Sequence, residues 1–215
     1  MKCVRKCFCI SICLLAAFIL WTIAICLMDV QPIGPQGTSV GFAGINGFVH
    51  GLTGVHFGLY NITDWLGLVP ILVCMGFGGL GLAQWIRRKS ICKVDRSILA
   101  LGGFYIITIA VFLFFESFVI NYRPVLISGY LEASYPSSTT LLVMCVMPTA
   151  MMQFNTRINN KILRAAVAYT ITAFIAFMVI GRLISGVHWF TDIIGGMLLS
   201  AGLSMLYYAV CSLWS

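Results

Sequence analysis

Runs of apolar residues, each long enough to cross a bilayer, alternate along this chain with short polar clusters. About 20 apolar residues are needed for a helical span, and such runs lie at roughly 8–28, 64–86, 97–120, 138–155, 163–181 and 190–213. They predict an all-α polytopic membrane bundle of about six transmembrane helices, with residues 1–215 forming one domain. The first run follows a basic lead (Lys2, Arg5, Lys6). It is too long for a signal-peptide core and no small-residue cleavage site follows it, so it reads as a retained anchor. Residues 30–63 are the longest non-spanning stretch, glycine-rich, and the segment holding His50 and His56 reads as a short interfacial helix or re-entrant piece.

Composition agrees with the pattern: 60% of the 215 residues are hydrophobic and only 9% are charged, against about 25% in soluble domains. The mean hydropathy is +1.01. A net charge of +7 invites a nucleic-acid reading, but the placement of the charges excludes it. Lys2, Arg5 and Lys6, then Arg87, Arg88, Lys89, Lys93 and Arg96, then Arg157, Lys161 and Arg164 all fall on one side of a chain that threads back and forth. That is the positive-inside pattern, with both termini cytoplasmic. Arg123 and Arg182 fall on the opposite side, near Asp29, Asp64, Glu116, Glu132 and Asp192.

Two features resemble ligand sites and are read as structural. Gly76-Phe77-Gly78-Gly79-Leu80-Gly81 matches a dinucleotide fingerprint, but that fingerprint needs a strand before it and a helix after it. Inside an apolar span small residues serve close helix packing, as do Gly195, Gly196 and Ser200 in the last span. His50 and His56 are six residues apart, do not share a helix face and have no cysteine or acid at ligand spacing.

Ionisable groups at membrane depth default to function, and three outer-side segments concentrate them. The first is Glu116 to Pro124, with Asn121, Tyr122 and Arg123; the second runs from Ser134 through Tyr135, Pro136, Ser137 and Ser138 to Thr139 and Thr140. The third runs from Arg182 to Asp192. Proline followed by four hydroxyl residues at a helix start offers a cap, free backbone N–H groups and a positive dipole end, which suits an anion. On a helix His188 and Asp192 are spaced i to i+4, so the carboxylate can orient the imidazole and leave its other nitrogen as nucleophile or base. Arg182 can clamp an oxyanion. Cation, oriented imidazole and carboxylate at a membrane edge point to phosphoryl chemistry on a lipid.

Arg123-Pro124, then Pro136-Ser137, then Arg182-x5-His188-x3-Asp192 resembles the three-part signature of the type 2 phosphatidic acid phosphatase superfamily, the lipid phosphate phosphatases and their haloperoxidase relatives. The resemblance covers about 97–213, and the third motif is its specific part. It implies that His188 is the nucleophile that becomes a phosphohistidine and that Asp192 orients it. It also implies that Arg123, Ser137 and Arg182 hold phosphate, with Ser138 and Thr139 at the same helix start, and that no metal or other cofactor is needed. The implied partner is a lipid phosphate in the plasma membrane, with the site on the extracytoplasmic side.

The chain departs from the pattern at two catalytic positions. Glu116 replaces the lysine that opens the first motif, and Thr139 replaces the histidine that closes the second and protonates the leaving oxygen. A positioned acid contributes roughly 10²–10⁴ in rate, so its loss disfavours alkoxide leaving groups more than phosphate leaving groups. Lipid or isoprenoid pyrophosphates are therefore favoured over monophosphates. Glu116 has two open roles: an altered acid, or, as the favoured one, an ion-pair partner of Arg123 or Arg182. Two rival functions stay open beside hydrolysis: a lipid phosphotransferase, and a catalytically impaired protein that binds, senses or transports lipid phosphates.

Overall fold

The long apolar runs fold into helices because, in lipid, every backbone polar group must find its partner within the chain. The computed structural model describes residues 2–214. Its α-helices are α1 (Lys2–Leu27), α2 (Ala43–Thr53), α3 (Phe57–Leu66), α4 (Leu68–Arg88), α5 (Arg96–Ser117), α6 (Ser138–Arg157), α7 (Lys161–Ile184) and α8 (Phe190–Cys211). Among the described residues, five stretches are long and apolar enough to cross a membrane: Val4–Leu27, Phe57–Arg88, Arg96–Ser117, Lys161–Ile184 and Phe190–Cys211. The second begins seven residues earlier than its apolar run suggested, because α3 continues almost directly into α4 through Gly67.

The expected span at 138–155 is where sequence and structure part. It is the 20-residue helix α6, but its hydropathy falls short of the other five. The reason is its position. α6 packs against α4, α5, α7 and α8, and Thr139, Thr140, Thr149 and Gln153 are buried among them. A helix sheathed by other helices presents little surface to lipid and can carry hydroxyl and amide groups that find partners inside the bundle. Thr149 Oγ1 bonds the Cys145 carbonyl at 2.8 Å.

α8 is the second central helix, packed on α1 and α6. Gly195 lets the Tyr135 ring approach to 2.4 Å from where a Cβ would stand, and Gly202 does the same for Leu15. Ser200 donates to the Gly196 carbonyl at 2.6 Å. The packing role expected for these small residues is what the helix contacts require. The Gly76–Gly81 run differs: a Cβ at Gly81 would meet Ile98 at 3.1 Å, but at Gly76, Gly78 and Gly79 it would meet nothing within 4 Å. These three glycines face open surface, so close helix packing does not explain them.

At one end of the bundle Asp95 gathers the basic loops, 3.0 Å from Arg88 and 3.5 Å from Arg157. At the other end, Trp21 of α1 donates to the Thr191 carbonyl at 3.2 Å. There too, Ser137 N bonds the Asp192 carbonyl at 3.1 Å and His56 N the Ser185 carbonyl at 2.9 Å. These bonds draw the C-terminal part of α1 and the N-terminal ends of α3, α6 and α8 onto the α7–α8 turn.

Candidate active site

The α7–α8 turn builds the site's centre. α7 ends at Ile184, Gly186 turns the chain with φ +67, and α8 starts at Phe190. His188 therefore precedes the helix. Trp189 is the extended N-cap, and Asp192 spends one carboxylate oxygen on the Trp189 N–H at 2.9 Å. The consequence overturns the simplest i to i+4 picture: His188 Nδ1 is 4.0 Å from Asp192 Oδ2, too long for a hydrogen bond. Ser134 stands between them. Its hydroxyl donates to Asp192 Oδ2 and lies 3.0 Å from His188 Nδ1.

Asp192 also accepts from Asn121 Nδ2 at 3.3 Å. A hydroxyl has one proton. Since Ser134 gives its own to Asp192, it accepts from Nδ1–H, and His188 Nε2 keeps its lone pair. Ser134, His188 and Asp192 are all buried. Burial, then the nearby Arg123 and Arg182, hold His188 well below the ordinary imidazole range, so the ring is neutral.

Two arginines face this histidine from different elements. Arg182 projects from the last turn of α7 and is 1% exposed. Arg123 sits in a short antiparallel pairing of 118–137, its N–H bonded to the Glu132 carbonyl at 3.0 Å. The Tyr60 ring of α3 lies against both guanidiniums, 5.0 Å from Arg182 and 5.8 Å from Arg123, within cation–π range. Each arginine has an acid, and neither acid is Glu116. Arg182 Nη2 is 3.0 Å from Asp64 Oδ1 and also donates to Thr139 Oγ1. Arg123 Nε is 3.2 Å from Glu132 Oε2. Glu116 is exposed at the end of α5, and the pairing favoured for it from sequence is replaced by Asp64 and Glu132.

Several buried polar atoms among the described residues have no partner within the chain, among them Arg123 Nη1, Arg182 Nε, Ser137 Oγ, Thr140 Oγ1, His50 Nε2 and His188 Nε2. Ser137 is the N-cap of α6, yet its side chain makes no cap bond. Buried donors left unpaired are rare and call for a ligand. Four of these atoms belong to Arg123, Arg182, Ser137 and His188, the site residues singled out from sequence, and an anion is the ligand that two guanidiniums accept. Ser138 and Thr139 open α6 beside them. Tyr60, Asp64 and Ser134 were not foreseen as site residues. Asp64, an acid at the edge of an apolar run, carried a signal; Tyr60 carried none.

The profile of the PAP2 superfamily matches residues 99–214, more than half of the chain. The chain belongs to the PAP2 superfamily. Comparison with curated proteins finds no match. Among solved structures, the chain resembles the first transmembrane PAP2-type phosphatidylglycerolphosphate phosphatase from Bacillus subtilis. The TM-score is 0.62 over 94% of this chain and 96% of that one, at 15% identity. The likeness establishes a shared fold. With its apolar helices, this PAP2 protein is a multi-pass membrane protein of a phosphatase family.

Proposed function

We propose that this protein hydrolyses lipid phosphates or pyrophosphates at the outer leaflet of the plasma membrane, through a phosphohistidine on His188. Isoprenoid carrier pyrophosphates are the favoured substrates. The observation that carries the reading is the neutral, buried His188, whose Nε2 has no partner while Nδ1 is held by Ser134. A ring fixed in this way is a nucleophile in waiting. It also argues against a protein that merely binds lipid phosphate, because binding alone needs the arginines and not an oriented imidazole.

Arg123, Arg182 and the Ser137–Thr139 turn supply positive charge and donors where a trigonal-bipyramidal phosphoryl group gathers negative charge. Nε2 attacks phosphorus, the lipid oxygen leaves, and water then cleaves the N–P bond. The cationic work falls to two guanidiniums, so turnover proceeds with a chelator present. The family resemblance to a phosphatidylglycerolphosphate phosphatase makes glycerophospholipid phosphates the natural comparison substrates. The test is phosphate release in detergent from a panel of prenyl and glycerolipid phosphates and pyrophosphates. Wild type should release phosphate and His188→Ala should not, and an acid-labile phosphoryl group should be trapped on His188. Equal release by the two proteins would sink the proposal, and lipid product carrying the phosphoryl group would instead mark a transferase.

A further inference from the structure

Thr139 occupies the position of the family's leaving-group acid, and a threonine hydroxyl is too weak an acid to replace it. The structure brings a carboxyl group to that place from a different element. Arg182 Nη2 donates to Thr139 Oγ1 and, 3.0 Å away, to Asp64 Oδ1. One guanidinium nitrogen thus separates the Asp64 carboxylate from the threonine. Asp64 is also the accessible member of the pair, its side chain 57% exposed while that of Arg182 is 1% exposed.

A groove of about 540 Å³ between α4, α5 and α6 ends at this point. Its walls are apolar, with Leu68, Ile71, Ile109 and Leu142 among them, and its polar end is Asp64, Ser138 and Thr139. It has the shape and chemistry for a hydrocarbon chain. In-line displacement puts the leaving oxygen, which carries that chain, on the side of phosphorus away from the attacking nitrogen. Asp64 and Thr139 line the groove and His188 does not. The leaving oxygen of a lipid seated there therefore comes out beside Asp64.

We infer that Asp64 is the catalytic acid and base at the leaving oxygen, a role that rests on the hydrolase reading above. An incoming phosphate competes with the carboxylate for Arg182. The substrate enters as its monoanion, and as the phosphoryl group is attacked its proton passes to the Asp64 carboxylate beside the leaving oxygen. As the Nε2–P bond forms and the P–O bond breaks, the Asp64 proton passes to the leaving oxygen. The carboxylate then accepts a proton from the water that attacks phosphorus, the N–P bond breaks, and Nε2 regains its lone pair. With this acid in place, prenyl monophosphates fall within reach as well as pyrophosphates.

The test compares wild type, Asp64→Asn and Asp64→Glu on a prenyl monophosphate and on the pyrophosphate of the same chain, reading kcat. Asp64→Asn should lower monophosphate turnover by about 10²–10⁴. The pyrophosphate, whose leaving group needs little protonation, should fall at least ten times less, and Asp64→Glu should restore part of the monophosphate rate. Equal losses on both substrates, or none on the monophosphate, overturn the assignment while leaving the hydrolase reading intact. A wild type that hydrolyses neither, like His188→Ala, brings down both together.

Discussion

Ser134 lies between His188, the proposed nucleophile, and Asp192, so the tautomer of the imidazole depends on a single hydroxyl. Removing that hydroxyl strands Nδ1–H of His188 in a buried site at a cost of about 1–3 kcal/mol. Ser134→Ala should therefore lose roughly 10- to 100-fold in kcat, read from steady-state turnover, and the thermal midpoint should drop by about 2–4 °C per kcal/mol lost. Ser134→Thr, which keeps the hydroxyl, should retain more activity. The pH profile tests the same arrangement. His188 is held below its ordinary range, first by burial and then by Arg123 and Arg182, so it stays neutral as pH falls through 6.5. The acid limb of kcat/KM should accordingly lie below pH 6.5, and a limb at or above that value would mean that the imidazole is not desolvated as described. The residue types at the site were legible in the sequence, but the direct His188–Asp192 contact was not to be had. An i to i+4 pair meets only if both residues are helical, and α8 begins after His188.

At the scale of elements, the α7–α8 turn is held where it is by a backbone approach that only glycine permits. Gly186 has φ +67, and a Cβ there would stand 1.8 Å from the Gly54 carbonyl oxygen, between α2 and α3. Gly186→Ala must push the turn off that linker and with it His188, two residues on. A displacement of about 1 Å at reacting groups costs about 10²-fold, so turnover should fall at least that far and the thermal midpoint should drop. Gly79→Ala is the matched control, since its Cβ meets nothing within 4 Å, and it should alter neither quantity. The sequence pattern located the long apolar helices and the polar segments that meet at one end. What it could not deliver came from packing between distant elements. Tyr60 and Asp64 reach the arginines only because α3 lies against α7, although Asp64 and Arg182 are 118 positions apart in sequence. A span was expected at 138–155, and the bundle that surrounds α6 lets it be less apolar than its neighbours.

The whole molecule has two chemically distinct ends, and they make its orientation in the membrane testable. One end carries the basic loops gathered on Asp95; the other carries the site. Basic loops stay cytoplasmic, which would place Arg123, Arg182 and His188 on the extracytoplasmic side, within reach of outer-leaflet headgroups. The linker from α4 to α5 holds Cys92, exposed at the basic end. The segment between α5 and α6 holds Tyr130, 74% exposed at the site end. In two single-cysteine versions of the protein, one keeping Cys92 and one with Tyr130→Cys, a membrane-impermeant maleimide added to intact cells should label only the second. Cys92 should react only after the membrane is opened. The reverse pattern would put the site in the cytoplasm and remove outer-leaflet lipids from its reach, whatever the fate of the chemistry at His188. Labelling of both from outside would mean that the chain does not thread back and forth between its basic loops.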